Sequence, residues 1–379
     1  MTDDKRRKLT LRYYIYTVDY LTSFISMVRN LIFPIYAYEL GYSPLIIASF
    51  FGTYYILSAI LSYPSLFVVK RIGARNSVLL SNLVDAISLL LLSFNSLTFF
   101  YLSFGLLSLA QVFITQFRTL IVYNFDENEL KGIYSKRYSI TVMGYLSSIG
   151  LSAITNYFGI VKYIFLPLGI FYLTTIFFIL LFRPTTSEVK NFKLVPSKEA
   201  IFVVIIPSFI ASFVTAIVMK LLQVFYLKLD LNGFTVSIIY LLEYVVNLIS
   251  FRVADKVKEE TLIKYYIPFS IISSVLVSLI SLRIYIASVS ALLASDFIDA
   301  LITVVNSILF VKLLKRLGQV EVSNVLQEMF GRFGQTLGVI MEGYLLSIGF
   351  YAIPFIIGAI VSLVFRVYGY EFYKKIKVI

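Results

Sequence analysis

Long apolar runs broken by short polar clusters recur along the whole chain, each about twenty residues long, enough for a helix to cross roughly 30 Å of hydrocarbon. Marking each run by its glycine, proline or charged punctuation predicts twelve spans, over residues 13–38, 44–69, 77–94, 97–123, 138–157, 163–182, 199–227, 235–251, 265–282, 285–311, 322–347 and 348–365. The gaps are too short to hold a soluble domain. The first run is too long and too polar for a cleaved signal peptide and has no small-residue cleavage site, so it reads as the first span. The longest polar interval, "RPTTSEVKNFKLVPSK" (183–198), holds two prolines and several charges and divides the spans into six plus six. The expected organisation is therefore an N-terminal bundle (1–182), a cytoplasmic linker (183–198) and a C-terminal bundle (199–379).

The halves echo each other. "LGYSPLII" (40–47) after span 1 matches "NGFTVSII" (232–239) after span 7, both joining an outward helix to a returning one. Spans 5 and 11 share glycines 190 residues apart, Gly144 with Gly334 and Gly159 with Gly349. Charged segments close both span 2, "LFVVKRIGAR" (66–75), and span 8, "FRVADKVKEE" (251–260). Landmarks repeating in one order at nearly one spacing predict two pseudo-symmetric six-helix bundles.

Composition agrees with the membrane reading: 59% of the 379 residues are hydrophobic, only 14% are charged, and the mean hydropathy is +0.88. Cysteine, histidine and tryptophan are absent. That excludes disulfides, thiol chemistry, and metal or haem sites built on histidine, so no cofactor is expected and any proton carrier must be a carboxylate. The net charge of +12 does not mark a nucleic-acid binder, because the basic residues sit between spans rather than along one face. Twenty-six lysines and arginines fall in segments on the N-terminal side of the membrane and three, Lys162, Lys228 and Arg283, on the other. Positive segments stay cytoplasmic, which places both termini in the cytoplasm of a multi-pass protein of the cell membrane.

The charged segments carry a family likeness. Val253, Ala254, Asp255, Lys256 and Lys258 match the L-A-D-R-x-x-R core of a loop between paired spans, and Arg71, Gly73 and Arg75 match its first-half counterpart, with Lys70 in place of the acid. In this the chain resembles the major facilitator superfamily, whose signature between spans 2 and 3 runs approximately G-x-L-A-D-R-x-G-R-R. The resemblance implies secondary transport by alternating access. It also implies a cytoplasmic gate at Arg71, Gly73, Arg75, Asp255 and Lys256, in which a carboxylate at a helix end bonds the next helix's amides and pairs with basic groups. The structural alternative is that these residues only set topology. The superfamily's arginine motif of span 4 and the G-P signature of span 5 are missing here, which weakens a drug/proton antiporter reading.

An ionisable residue at membrane depth costs at least about 2.5–3.5 kcal/mol on insertion scales, so each needs a partner, a wet cavity or a function. Span 1 shows a polar stripe at helical spacing, Asp19, Thr22, Ser23, Ser26, Arg29 and Asn30; span 7 shows a weaker one ending in Lys220 and Gln223. Arg29 and Lys220 occupy nearly equivalent positions before Gly41 and Gly233. A matched basic pair in spans 1 and 7 resembles the arrangement by which organophosphate:phosphate antiporters of the superfamily clamp an anion. Together with Asp19, Ser26, Asn30, Gln223 and Glu243 it makes a candidate solute site. Asp296 and Asp299, one turn apart in span 10 near the midplane, are the candidate proton carriers, with Asp85 in span 3 as a third; two carboxylates so close in low dielectric favour holding one proton between them. The structural alternative is that these groups only neutralise one another or neighbours such as Arg332. Glu328 and Arg332 have the spacing of an intrahelical pair.

The expected protein is a monomeric, all-α, proton-coupled carrier of a small solute such as an organic anion, whose partners are that solute, protons and membrane lipids. A drug/proton efflux antiporter or a lipid flippase are the alternatives on the same fold. An intramembrane enzyme using the acids of "SDFIDA" to hold magnesium and a diphosphate ranks last, because a second acidic cluster on another helix is missing.

Overall fold

The structure, a computed structural model, describes residues 3–114, 125, 127–181, 198–282, 284–317 and 320–375. All of the expected linker except Lys198 lies outside them, as do Arg118 and Arg283. The described secondary structure is helical throughout. In chain order the α-helices are α1 (Asp3–Met27), α2 (Phe33–Glu39), α3 (Pro44–Leu91), α4 (Leu97–Ile114), α5 (Glu127–Tyr157), α6 (Phe165–Leu181), α7 (Lys198–Met219), α8 (Leu222–Leu227), α9 (Gly233–Lys256), α10 (Glu259–Lys264), α11 (Tyr266–Ile280), α12 (Tyr285–Leu317), α13 (Val320–Ser347) and α14 (Ile353–Lys375). Expected span 1 corresponds to α1 and α2 with a π-helical turn between them (Val28–Ile32), and span 7 to α7 and α8. Spans 2 and 3 run together as α3 with Gly73 at the bend, where its φ of 79° breaks the helical path.

Among the described residues six helical segments are long and apolar enough to cross a membrane: Pro44–Ser65, Asn76–Phe94, Ile205–Leu227, Gly233–Ala254, Tyr285–Asn306 and Ile353–Phe372. Three shorter apolar segments, Leu97–Phe113, Val161–Phe177 and Tyr266–Ile280, fall where spans 4, 6 and 9 are expected. The remaining expected spans, 1, 5 and 11, are helices with polar residues along them, which lowers their hydropathy. Expected boundaries shift where polar residues continue a helix beyond the apolar run: α5 starts at Glu127 rather than 138, and α12 runs on to Leu317.

The chain divides into two compact units, Met1–Ala37 with Thr53–Asn191, and Tyr38–Gly52 with Phe192–Ile379. The first part of α3 thus belongs to the second unit. In the first unit α1 packs along α5, and the approach is closest at Gly144, where a Cβ would lie 2.7 Å from the Tyr20 carbonyl oxygen. In the second unit α7 packs along α13. Gly334 is the matching contact, since a Cβ there would strike the Phe209 carbonyl oxygen. The glycines paired by sequence therefore do the same work in each unit, letting two backbones touch.

Two further features repeat at nearly that spacing. α5 and α13 both end on a glycine of positive φ, Gly159 and Gly349, and the next amide reaches back five residues, Ile160 to Thr155 and Phe350 to Leu345, each at 2.9 Å. This closes the helix ends and satisfies carbonyls that would otherwise be orphaned. Tyr36 meets Phe165 in the first unit (ring centroids 5.4 Å apart), and Phe225 meets Phe355 in the second (4.9 Å). The turns after spans 1 and 7 match differently from the sequence expectation. The residue of positive φ opposite Gly41 is Asp230, not Gly233; Gly233 instead opens α9, with the Asn232 side chain accepting the Thr235 amide at 2.8 Å.

Candidate functional site

In the first unit the polar stripe of span 1 is turned into two ion pairs with different neighbours. Arg29 sits in the π-helical turn, where the local widening re-aims side chains, and it is only 3% exposed. Its Nη2 donates to the Asp85 carbonyl oxygen (2.8 Å) and to Ser88 Oγ (2.9 Å) on α3. Its Nη1 lies 2.5 Å from Asp85 Oδ1, a charge contact rather than an aligned hydrogen bond. Nearly three turns earlier, Asp19 accepts a bidentate pair from Arg137 of α5, Nε to Oδ2 at 2.5 Å and Nη2 to Oδ1 at 2.8 Å. Asn30 donates to Ser26 at 3.3 Å, and Thr22 bonds back to the carbonyl of Val18. Arg29 and Asp85, expected respectively to hold solute and carry a proton, are thus each other's counter-charge.

The second unit holds a different arrangement at the equivalent depth. Span 7 is broken at Lys220 and Leu221, and Leu221 leaves the helical region (φ −113°, ψ 22°). A break strands backbone donors and acceptors that must find partners when buried. Two side chains supply them: Glu342 of α13 accepts the Leu221 amide at 2.9 Å, and Gln223 Nε2 donates to the Lys220 carbonyl at 3.0 Å. Gln223 in turn accepts from the Tyr240 hydroxyl of α9 at 2.8 Å. Glu342 is 1% exposed, and the Lys220 ammonium lies 4.3 Å from the centre of the Phe51 ring. A lysine, a carboxylate, an amide and a phenol therefore converge on one irregular stretch of helix, with donors and acceptors suited to a polar solute.

The acids of the second unit pair differently from the sequence expectation. Asp299 is taken by Arg366 of α14, with Nη2 at 3.0 Å from Oδ1, and by Ser273 of α11, whose hydroxyl donates to it at 2.5 Å; Arg366 Nη1 also bonds Ser273 at 3.0 Å. Asp296 is oriented elsewhere. It feels the charge of Glu243 on α9 as well as that of Asp299, and one oxygen of each carboxylate, Asp296 Oδ2 and Glu243 Oε2, is buried without a hydrogen-bond partner. Asp296 thus lies in the field of an acid on a second helix, Glu243, as well as of Asp299, while Asp299 itself is paired with Arg366. Glu328 and Arg332 do form the i, i+4 pair, at 3.5 Å.

At the expected cytoplasmic gate, Arg71, Gly73 and Lys256 are exposed, and the side chains of Lys70, Arg75 and Asp255 lie outside the described residues, as do those of Glu127 and Glu129. Sequence reasoning did not single out Arg137, Arg366, Ser273 or Tyr240. The two arginines read as topology charges because they stand near helix ends. Serine and tyrosine are too frequent in this chain to carry a signal by themselves. Glu342 falls within expected span 11, but the backbone amide it caps is freed only by the break in span 7.

A model of the Major Facilitator Superfamily matches residues 20–320. The fold is similar to the crystal structure of the nucleoside transporter NupG, with a TM-score of 0.74, 13% identity, and 96% of this chain and 99% of that one covered. It is also similar to an auto-inhibited peptide transporter of the POT family, with a TM-score of 0.73, 12% identity and 96% of each chain covered. No curated protein matches the sequence.

Proposed function

Because the chain belongs to the major facilitator superfamily, which makes it a membrane transporter rather than an enzyme, we propose that it carries a small polar solute across the cell membrane by alternating access, coupled to protons. In this reading twelve spans form two six-helix bundles joined by the 183–198 segment, both termini are cytoplasmic, and the carrier works as a monomer. The observation that carries it is the break in span 7. A helix is interrupted inside the membrane only where protein or a cavity can satisfy the freed backbone groups, and such breaks serve solute and ion binding in transporters. Here Lys220, Gln223, Tyr240 and Glu342 gather at that break.

Lys220 favours a solute bearing an anionic group. The anion-clamp reading keeps only this half of the expected basic pair, since Arg29 is held by Asp85 and Ser88. Solved structures of the same fold include carriers named for nucleosides and peptides; at 12–13% identity they support the architecture and leave the solute to experiment. The test is a thermal-shift screen on purified protein with organic anions, nucleosides, peptides, sugars and lipophilic cations, followed by counterflow of the best ligand in proteoliposomes. An organic acid that stabilises wild type but not Lys220→Met, and that exchanges in counterflow, supports the reading. Stabilisation by lipophilic cations alone refutes it in favour of drug efflux, and translocation of labelled phospholipid without solute counterflow refutes it in favour of lipid transport.

A further inference from the structure

Two carboxylates in the interior of the second unit, Glu243 and Asp296, feel each other's charge, and among the described residues no basic group is set against them. Glu243 lies ten residues into α9 and Asp296 eleven into α12, counted from the same side. At 1.5 Å per residue each is about 15–17 Å deep, the middle of a hydrocarbon layer about 30 Å thick. Glu243 is 8% exposed, and Oε2 of Glu243 and Oδ2 of Asp296 are both buried without a hydrogen-bond partner. Asp299 on α12 acts on Asp296; Tyr226 on α8 lies in the field of both carboxylates with Tyr285 beside it, and Tyr240 on α9 lies in that of Glu243 with Tyr244 and, on α13, Glu342 beyond it. None of these is a cation. Asp299 is moreover engaged by Arg366, so that guanidinium is already spent on another acid.

Two ionised carboxylates without a counter-charge are among the most costly arrangements a protein interior can hold, and the cost is removed by taking up one positive charge. Among the described residues no cation supplies it, which leaves a charge taken up from solution. A metal ion would need several oxygens converging on it, and among the described residues no group of three or more acidic, histidine or cysteine side chains gathers. Of the nearby serines, Ser288 donates to the Ile280 carbonyl at 2.7 Å and Ser295 to that of Leu292 at 2.8 Å. A proton needs only the two acceptors that are present.

We infer that Glu243 and Asp296 form a two-carboxylate site that holds one shared proton in this conformation, and that this site, rather than Asp296 with Asp299, loads the coupling ion of the transport cycle. The arrangement is a pair of acids whose first proton is retained and whose second is given up, the behaviour of coupled carboxylates. Its place in the cycle rests on the proton-coupled reading above; the existence of the protonated pair does not.

The test is infrared spectroscopy of the purified full-length protein in lipid at neutral pH, with wild type subtracted from Glu243→Gln, Asp296→Asn and Asp299→Asn. The expected result is one protonated-carboxyl band that both Glu243→Gln and Asp296→Asn remove or shift and that Asp299→Asn leaves in place. A band altered by only one of the two variants, or difference spectra showing ionised carboxylate alone, overturns the shared proton. Should a variant fail to fold, the wild type decides: absence of any carboxyl band that shifts in heavy water overturns the proposal. Sodium chloride raising the melting temperature of wild type, but not of either variant, relative to choline chloride would assign the site to a metal ion and overturn it equally. Proteoliposome uptake under a pH gradient separates the two layers of the argument. The band without gradient-driven uptake removes the coupling role and keeps the site, whereas gradient-driven uptake without the band removes the site and keeps the transporter.

Discussion

Replacing Arg29 by methionine decides whether this residue serves architecture or solute. The guanidinium is 3% exposed and holds Asp85 by charge, the Asp85 carbonyl and Ser88 by hydrogen bonds, all within the first unit. Methionine fills much of the same volume and removes the charge, leaving the Asp85 carboxylate buried with its counter-ion gone. Breaking one side of a buried pair costs about 3–5 kcal/mol, and at 2–4 °C per kcal/mol for a unit of this size the melting temperature should fall by about 6–20 °C. Removing both charges together, Arg29→Met with Asp85→Leu, should recover most of that loss, because a buried pair exchanged for apolar groups of similar volume is about neutral. The measurement is thermal unfolding of the purified protein in detergent for wild type, both single variants and the double. A single variant that melts with wild type while the apparent KM for solute rises would refute the reasoning and make Arg29 a solute ligand.

Gly334→Ala should destabilise by about 1–3 kcal/mol, since the added methyl pushes α13 off the Phe209 carbonyl, whereas Gly150→Ala on α5, which meets open space, should be neutral or slightly stabilising; thermal unfolding compares them. Glu342→Gln should cost about 1–3 kcal/mol, because the Leu221 amide loses a charged acceptor and Lys220 a counter-charge, and the addition of Lys220→Met should restore part of it, as read from the double variant's melt. Arg366→Gln should lower the melting temperature while leaving accumulation under a pH gradient intact, because Asp299 loses its partner but the Glu243–Asp296 pair is untouched; loss of accumulation with an unchanged melt would return the coupling role to Asp299.

The features legible in the sequence were those whose signal is local. Apolar length gave the helices, and Gly144, Gly159, Gly334 and Gly349 marked the repeat because close approach and positive φ each demand glycine at a single position. The sites were half legible for the opposite reason. Arg29, Lys220, Glu243 and Asp296 stood out as charges at membrane depth, but which charge meets which depends on helix rotation. A difference of three residues, about 60° around a helix, sends Asp296 toward Glu243 and Asp299 toward Arg366. Spacing along one helix suggested the intrahelical acidic pair; packing between helices adds Glu243 beside Asp296 and gives Asp299 the partner Arg366. Arg137 was read as a topology signal because nothing local to it reveals that Asp19 lies opposite, 118 residues away.

The two units resemble each other in backbone and differ in charge, and the difference divides the labour between them. Both break the regular helix at nearly equivalent positions in the repeat, with a π-helical turn at Val28–Ile32 and an unwound step at Lys220–Leu221, and both carry a basic residue there. In the first unit the cation is closed off, because an acid on α3 neutralises it directly and Arg137 neutralises Asp19 in the same way. In the second unit the carboxylate of α13 is partly committed to a backbone amide, Lys220 rests against an aromatic ring, and Glu243 and Asp296 feel each other's charge with no basic residue against them among the described residues. A unit whose charges cancel internally gains rigidity from them. On the coupled-carrier reading proposed above, the acids Glu243 and Asp296 are the charges of the second unit that would respond to an arriving proton.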